Sequence, residues 1–411
     1  MKILIVGGGG REHAMAWRLA QSPGVEIIAA PGNPGIAQIG RCVPTTATVR
    51  AYAELAESEQ VDLTVVGPEA MLVSGIADDF RARGLRIVGP SHAAARLEGS
   101  KIFAKEFFRR AGIPTARSAQ VASKDEALDN IKHFSLPLVI KADGLAAGKG
   151  VVIAHTESEA RTAIATLGPR LVLEEFLEGE EVSFIAVSNG TDLIALEASQ
   201  DHKRIGDDDT GPNTGGMGAY CDGRILTTAQ VGVVMDRIMY PAVEHMAREG
   251  SPFRGFLYAG LMMTADGPKV LEFNVRLGDP ETQALLYRLD SGFLEALEFA
   301  AGGPPVKLNW KADPSVCVVV SAEGYPQSPR LGDAINGIEE AEKTGATVFH
   351  AGTVKRAAGE IVTNGGRVLG VTASGPTLKA AIERAYDATS KIRFDGMHYR
   401  RDIGAKGLKR W

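Results

Sequence analysis

Only three of the 411 residues are cysteine, Cys42, Cys221 and Cys317, too far apart to make a metal or redox motif. A disulfide scaffold is thereby excluded, and a reducing, cytoplasmic setting is expected. No apolar run approaches the length of a membrane span. The first residues, KILIVGG, enter a strand at once and leave no room for a signal peptide. There is no basic excess either. Lys and Arg number 45 against 50 Asp and Glu, a formal charge of −5, which argues against a nucleic-acid binder. Repeats and low-complexity tracts are absent, and no nucleophilic triad stands out. What the chain has in quantity is glycine, 48 residues, as expected of many loops set close against ligands. Its length allows two or three domains with substantial cores.

Residues 1 to about 95 alternate short apolar strands with helices, which predicts a doubly wound parallel α/β sheet. Strands are expected at Lys2–Val6, Glu26–Ala30, Leu63–Val66 and Arg86–Val88, with helices at Arg11–Gln21, Val49–Glu59 and Val73–Arg83. Such sheets bind ligands at the carboxyl ends of their strands, where Gly7–Gly10, Gly32–Asn33 and Gly67–Glu69 fall. The loop VGGGGREH is not a dinucleotide fingerprint. With Gly7 and Gly9 as the first pair, the third glycine would be Glu12, and the second strand ends in Ala29-Ala30-Pro31, not in an acid. A small phosphorylated ligand at the first helix N-terminus, near Arg11, suits these residues better.

A helix is expected from Leu97 to Arg110, then an α+β unit to about Glu181 with strands at Pro137–Ala142 and Leu171–Glu174. An antiparallel region follows to about Thr191. After it come a polar loop, a helix near Gln230–Arg248, and a hairpin from Gly255. Residues 310–411 read as a small α+β unit, with strands at Ser315–Ser321, Thr347–Ala351 and Val368–Ala373 and a helix at Leu378–Ser390. The expected division is 1–100, 101–309 (with a lid at about 115–190) and 310–411.

The segment PLVIKADGLAAGKGV, from Pro137, delivers Lys141 to the rim of a loop carrying Gly144, Gly148, Lys149 and Gly150. Such glycines let backbone N–H groups turn toward an anion, and two lysines beside them point to a polyphosphate. It is not a Walker A loop, because Asp143 stands where the first glycine should be and Gly150 where Ser or Thr would hold magnesium. Any metal must therefore be held elsewhere. In PKVLEFNVRLGDPETQ, strand alternation puts Leu271, Phe273 and Val275 inward and Glu272, Asn274 and Arg276 on the opposite face. Glu272 and Asn274 are hard oxygen ligands suited to magnesium on nucleotide phosphates. A lone Glu-x-Asn is ordinarily a strand with a solvated face. Here Arg276 continues that face, a Gly-Asp-Pro-Glu turn follows, and the glycine-lysine loop lies upstream.

Taken in order, the motifs GGGGREHAMAW, GPEA, EGSKIFAKEFFRRAGIPTA, KADGLAAGKGV, EEFLEGEEVS, QDHKRIGDDDTGPNTGGMGAY and LEFNVRLGDPETQ resemble the ATP-grasp superfamily. Within it they resemble the phosphoribosylamine–glycine ligase family, over nearly the whole chain. Met71 and Leu277 depart from that family's usual proline and phenylalanine. The resemblance implies a central ATP-grasp domain with a lid, ATP with magnesium or manganese, and Lys101 and Lys141 on the α- and β-phosphates. It further implies an adenine hinge at Glu174, Phe176 and Leu177, and ribose hydroxyls on Glu181. Arg276 is the candidate cation for the glycine carboxylate or its acyl phosphate, with Asp201 and the backbone of Gly215, Gly216, Met217 and Gly218 shaping that glycine pocket, and Asp279 is a further substrate residue. Gly10, Arg11, Asn33, Gly67 and Glu69 would take 5-phosphoribosylamine. A monomer acting on small molecules is expected. Lys105, His202 and Asp207–Asp209 read as surface or solvated-loop residues. Three other readings stay open: another ATP-grasp ligase or carboxylase, a dinucleotide-dependent oxidoreductase, and a nucleotide-binding regulator. Glu12 and Ala30 count against the oxidoreductase, and the intact metal pair against the regulator.

Overall fold

The computed structural model describes residues 1–145 and 150–409. At the amino terminus a parallel sheet runs in the order Arg41–Cys42, Glu26–Pro31, Lys2–Gly7, Leu63–Val66, Ile87–Val88. Strand order reverses between Lys2–Gly7 and Leu63–Val66, so a crevice opens at their carboxyl ends, between Gly7–Gly10 and Gly67–Glu69.

Three helices expected as single pieces are interrupted, each for a local reason. Gly75, at φ +84°, separates Glu69–Val73 from Ile76–Ala82. Ser100 is extended, at φ −147°, and its hydroxyl caps the amide of Phe103 at 3.2 Å, dividing His92–Gly99 from Lys101–Ala111. Between Thr228–Val234 and Tyr240–Arg248 lies a π turn, Met235–Met239, beside Pro241, which has no amide to donate.

A four-stranded antiparallel sheet follows, in the order Ser118–Val121, Leu171–Glu175, Leu138–Ala142, Val151–Ala154. Helices Lys124–Asn130 and Glu157–Leu167 help give it a core of its own, including Leu138, Ile140, Ala160, Ile164 and Leu173. The large central sheet begins with Gly267–Asn274 and Arg254–Thr264 and passes through Glu180–Asn189, Ser199–Asp201 and Gly218–Cys221. It does not stop there. Gly218–Cys221 pairs antiparallel with Ser315–Ser321, which leads on to Arg367–Ser374 and Thr347–His350. The carboxy-terminal strands thus extend the central sheet, and Leu4, Phe108, Phe273 and Val371 belong to one apolar core. No described helix is long and apolar enough to cross a membrane.

Candidate active site

The strand Gly267–Asn274 slips register against its partner. Leu261 faces Val270 while Gly260 faces Glu272, leaving Leu271 as a bulge. Phe273 and Val275 are in the core as alternation requires, each 1 % exposed. Leu271 departs from that expectation because of the bulge, packing with Ala116, Leu177 and Met262 in a small separate cluster. Its carbonyl accepts Lys141 Nζ at 3.0 Å.

Glu272 lies amid cations. Burial would raise its carboxyl, but Lys203, Lys141, Lys101 and Arg276 hold it below the usual carboxylate range. Lys101 Nζ donates to the carbonyl of Gly144 at 2.8 Å, and its own ammonium is pushed down, chiefly by burial. Asn274 Oδ1 accepts Arg276 Nη2 at 3.1 Å, and the charge of Arg276 reaches Glu272. No described cluster of three or more His, Cys, Asp or Glu could hold a metal. One ionised carboxylate and one amide oxygen fit magnesium, which keeps waters and takes phosphate oxygens.

Lys141 and Lys105 converge on a single oxygen of Glu174, at 3.1 and 3.2 Å. All three are buried, and Lys105 also donates to Thr115 Oγ1 at 2.6 Å. The surface reading of Lys105 is therefore wrong. One turn beyond Lys101 on its helix, it points inward, and burial brings its ammonium down to about 8. That i, i+4 spacing was the available signal. The other oxygen of Glu174 is buried without a partner. Leu177 is buried beside this group while Phe176 is exposed. Glu181 pairs with Lys203 at 2.6 Å. Gly150 accepts the amide of Ala142 through its carbonyl at 2.8 Å, whereas Gly148 and Lys149 lie outside the described residues.

Arg276 joins the two halves of the cleft. It reaches Glu98 at 2.9 Å and Glu69 at 3.3 Å. Burial would raise the Glu69 carboxyl, but Arg276 and Arg11 hold it down. Glu98, absent from the expected set, also accepts the amide of Val275 at 2.8 Å. Across the crevice, Glu12 accepts Gly9 N at 2.5 Å and pairs with Arg11 at 2.7 Å. Arg11 donates in turn to the carbonyl of Leu277. Asn33 ties its own loop to the first glycine loop and to the carboxy-terminal part of the chain. It donates to the carbonyls of Gly8 and His350 and accepts the amides of Gly35 and Ile36.

On the third side, Asp201 Oδ1 is buried without a partner, and burial together with Glu281 pushes that carboxyl well above its usual range. Glu281 accepts hydroxyls from Tyr258 and Ser183. Gly216 lies against Asp201, where a Cβ would stand 2.8 Å from Oδ1. Met217 is fully buried, and its backbone pairs with His202 and Val319. Gly218 accepts the amide of His202 at 2.9 Å. His202 is not on an exposed loop. It is 1 % exposed, and burial holds its imidazole down to about 4. Asp207–Asp209 are likewise not merely solvated. Asp209 pairs with Arg400 at 2.9 Å and with Lys406, and Asp207 accepts the amide of Arg401, because the carboxy-terminal segment folds back over this loop. Asp279 and Gly215 both receive Arg367, another residue the motifs did not reveal.

A parallel amino-terminal sheet, a small antiparallel sheet that carries Lys141, a helix that carries Lys101 and Lys105, and a central sheet that carries the Glu272–Asn274 pair define an ATP-grasp protein. The fold agrees at low identity with the biotin carboxylase domain of Hydrogenobacter thermophilus 2-oxoglutarate carboxylase, solved with MgADP. There the TM-score is 0.71 at 17 % identity, over 97 % of this chain and 91 % of that one. Family models for phosphoribosylglycinamide synthetase match throughout: the N domain at residues 1–98, the ATP-grasp (A) domain at 99–282 and the C domain at 315–406. The chain is 49 % identical to phosphoribosylamine–glycine ligase of Ralstonia nicotianae and 47 % to that of Pseudomonas aeruginosa. Both matches span 100 % of this chain and at least 99 % of the relative. The crystal structure of the Thermotoga maritima phosphoribosylamine–glycine ligase superposes with a TM-score of 0.86 at 36 % identity, covering 98 % of this chain and all of that one. This chain belongs to the phosphoribosylamine–glycine ligase family.

Proposed function

We propose that the protein joins glycine to 5-phospho-β-D-ribosylamine, with ATP converted to ADP and phosphate, as a step of purine biosynthesis. The observation that carries this reading is the position of Arg276. Within 3.3 Å of its guanidinium lie Asn274 of the metal pair, Glu98, and Glu69 of the amino-terminal crevice. One cation thus borders both the nucleotide side and the phosphoribosyl side of the cleft.

In the first step a glycine carboxylate oxygen attacks the γ-phosphorus of ATP and the bond to the β-phosphate oxygen breaks, giving glycyl phosphate and ADP. In the second, the ribosylamine nitrogen attacks the acyl carbon, a proton leaves the nitrogen, and phosphate departs with the former carboxylate oxygen. A carboxylate is a poor electrophile, so phosphorylation supplies the leaving group. The protein supplies alignment and charge. Lys101 and Lys141 would neutralise the phosphate chain, and Arg276 would hold the carboxylate and then the acyl phosphate. Glu272 and Asn274 would hold magnesium, whose charge, when bound, offsets that of the phosphate oxygens. Glu174, Leu177 and Glu181 would seat the nucleoside. Gly10, Arg11, Glu69 and Asp279 would border the phosphoribosylamine.

The test is isotopic. Glycine carrying heavy oxygen in its carboxylate should pass one labelled atom per turnover into inorganic phosphate. Unlabelled phosphate alongside normal amide formation would overturn the acyl-phosphate route, and ADP release triggered by another acid in place of glycine would overturn the substrate.

A further inference from the structure

Arg367 stands at the start of the carboxy-terminal strand Arg367–Ser374 and reaches back into the cleft. Its Nη1 donates to the carbonyls of Gly215 and Asp279, each at 2.5 Å, and its Nη2 lies 3.2 Å from Asp279 Oδ2. A second carboxy-terminal residue, Tyr325, accepts the amide of Gly215 at 3.0 Å. The backbone is shaped for this approach. A Cβ on Gly366 would stand 2.2 Å from the Tyr325 ring, and one on Gly352 would meet the Cα of Gly365 at 2.6 Å. Asp279 Oδ1 accepts Gln283 Nε2 at 2.8 Å, so both carboxylate oxygens are held. That carboxylate faces the amino-terminal loop. A side chain begun at Gly9 would come within 3.8 Å of Oδ2, and one at Gly10 within 3.7 Å of Oδ1.

The groups whose charges reach Arg367 are Asp279, Tyr325, Asp201 and Glu281. Those that reach Glu272 are Lys203, Lys141, Lys101 and Arg276. Arg367 makes its contacts with Gly215 and Asp279, whereas Lys101 and Lys141 contact Gly144, Leu271 and Glu174. We infer that Arg367 is a positioning residue for the amine-bearing substrate: by fixing Asp279 and Gly215 against the Gly9–Gly10 loop, it aligns the acceptor amine for the second half-reaction and leaves the first intact. The inference rests on the acyl-phosphate reading above and gives the carboxy-terminal strands a role in it. A misaligned amine leaves glycyl phosphate to water. A water oxygen then bonds to the acyl carbon, the acyl C–O bond to phosphate breaks, and of the two water protons one passes to the departing phosphate and one to solvent. Glycine is regenerated and ATP is consumed without amide.

The experiment measures ADP and amide together in the wild type, in Arg367→Met, and in Arg367→Lys, which keeps the charge but loses the two-pronged geometry. The wild type should release one ADP per amide. In Arg367→Met, amide formation should fall about 10–100-fold, the magnitude of a small misplacement of reacting groups. Its KM for phosphoribosylamine should rise about tenfold, while the KM for ATP stays within about twofold. Glycine-dependent ADP release should continue, so the ADP-to-amide ratio climbs above one. If Arg367→Met does not fold by circular dichroism, Arg367→Lys is judged on the same two readouts. A folded variant with a ratio of one and an unchanged KM for the amine overturns the inference alone. A wild type that makes no amide overturns the ligase reading and this inference with it.

Discussion

The carboxylate of Glu12 fills the space that a side chain at residue 67 would need: a Cβ on Gly67 would stand 1.8 Å from Glu12 Oε1 and 2.5 Å from its Cδ. Gly67→Ala should therefore displace Glu12 and loosen its bonds to Gly9 N and Arg11. Overpacking of this kind costs about 1–3 kcal/mol. Urea unfolding should register that loss. Steady-state kinetics should show a larger rise in KM for phosphoribosylamine than for ATP. Equal rises in both would remove Glu12 from the amine side of the cleft.

Glu272→Gln and Asn274→Ala should lower kcat by about 100-fold or more, the scale seen when a group stabilising developing charge is removed. The melting temperature should hardly change, because neither side chain belongs to the apolar core. Thermal melts and rates at saturating magnesium check both points. A near-normal rate would refute the metal assignment.

Lys105→Met removes one of two cations from the buried Glu174 carboxylate. Breaking a buried pair typically costs about 3–5 kcal/mol, and Lys141 remains, so a loss of about 2–4 kcal/mol is expected. ATP affinity, read by calorimetry without the other substrates, should fall as Glu174 loses its fixed position. Unchanged affinity and stability would return Lys105 to the surface.

Stability should decline on mild acidification. His13, His202 and His350 are buried, and their imidazoles are held down to about 3, 4 and 4. In the unfolded chain each titrates near 6.5. Between that value and the folded one the unfolded state binds more protons, so stability is full above about 6.5 and is lost as pH falls. Each histidine adds a slope of up to about 1.4 kcal/mol per pH unit. Urea titrations between pH 7.5 and 5 should show the midpoint dropping, and His202→Asn should reduce the slope. A flat midpoint over that range would mean these rings are already charged or accessible.

Strand alternation was enough to place Glu272, Asn274 and Arg276 together, because a period of two is a local property of the backbone. Lys141 was legible too, as the polar end of an apolar strand. Helix interruptions at Gly75 and Ser100 were visible as residue types, but a glycine or serine between two apolar-periodic stretches does not announce which way the chain turns. Glu98, Tyr325 and Arg367 were not recoverable from spacing. Each acts across the tertiary fold, and Arg367 meets Gly215 through a contact spanning 152 residues. Asp207–Asp209 are exposed, as a solvated loop requires, but Arg400 and Lys406, the cations of Asp209, arrive from the far end of the chain and were not legible for the same reason. His202 falls in a polar stretch, the ordinary signal of a solvated loop, whereas Gly404 donates its amide to Nε2 from the segment that covers it.

The pairing of Gly218 with Val318 and of Cys221 with Ser315 has a bearing on how the chain is made. During synthesis, at about 5–20 residues per second, the strand Gly218–Cys221 emerges several seconds before Ser315–Ser321. For that interval its outer hydrogen-bonding edge is open, and an open edge can recruit a foreign strand. Nascent chains halted just short of Ser315 should therefore be held in solution by chaperones, and release should coincide with arrival of the three carboxy-terminal strands. The last quarter of the polypeptide would then act as the closing seam of the central sheet.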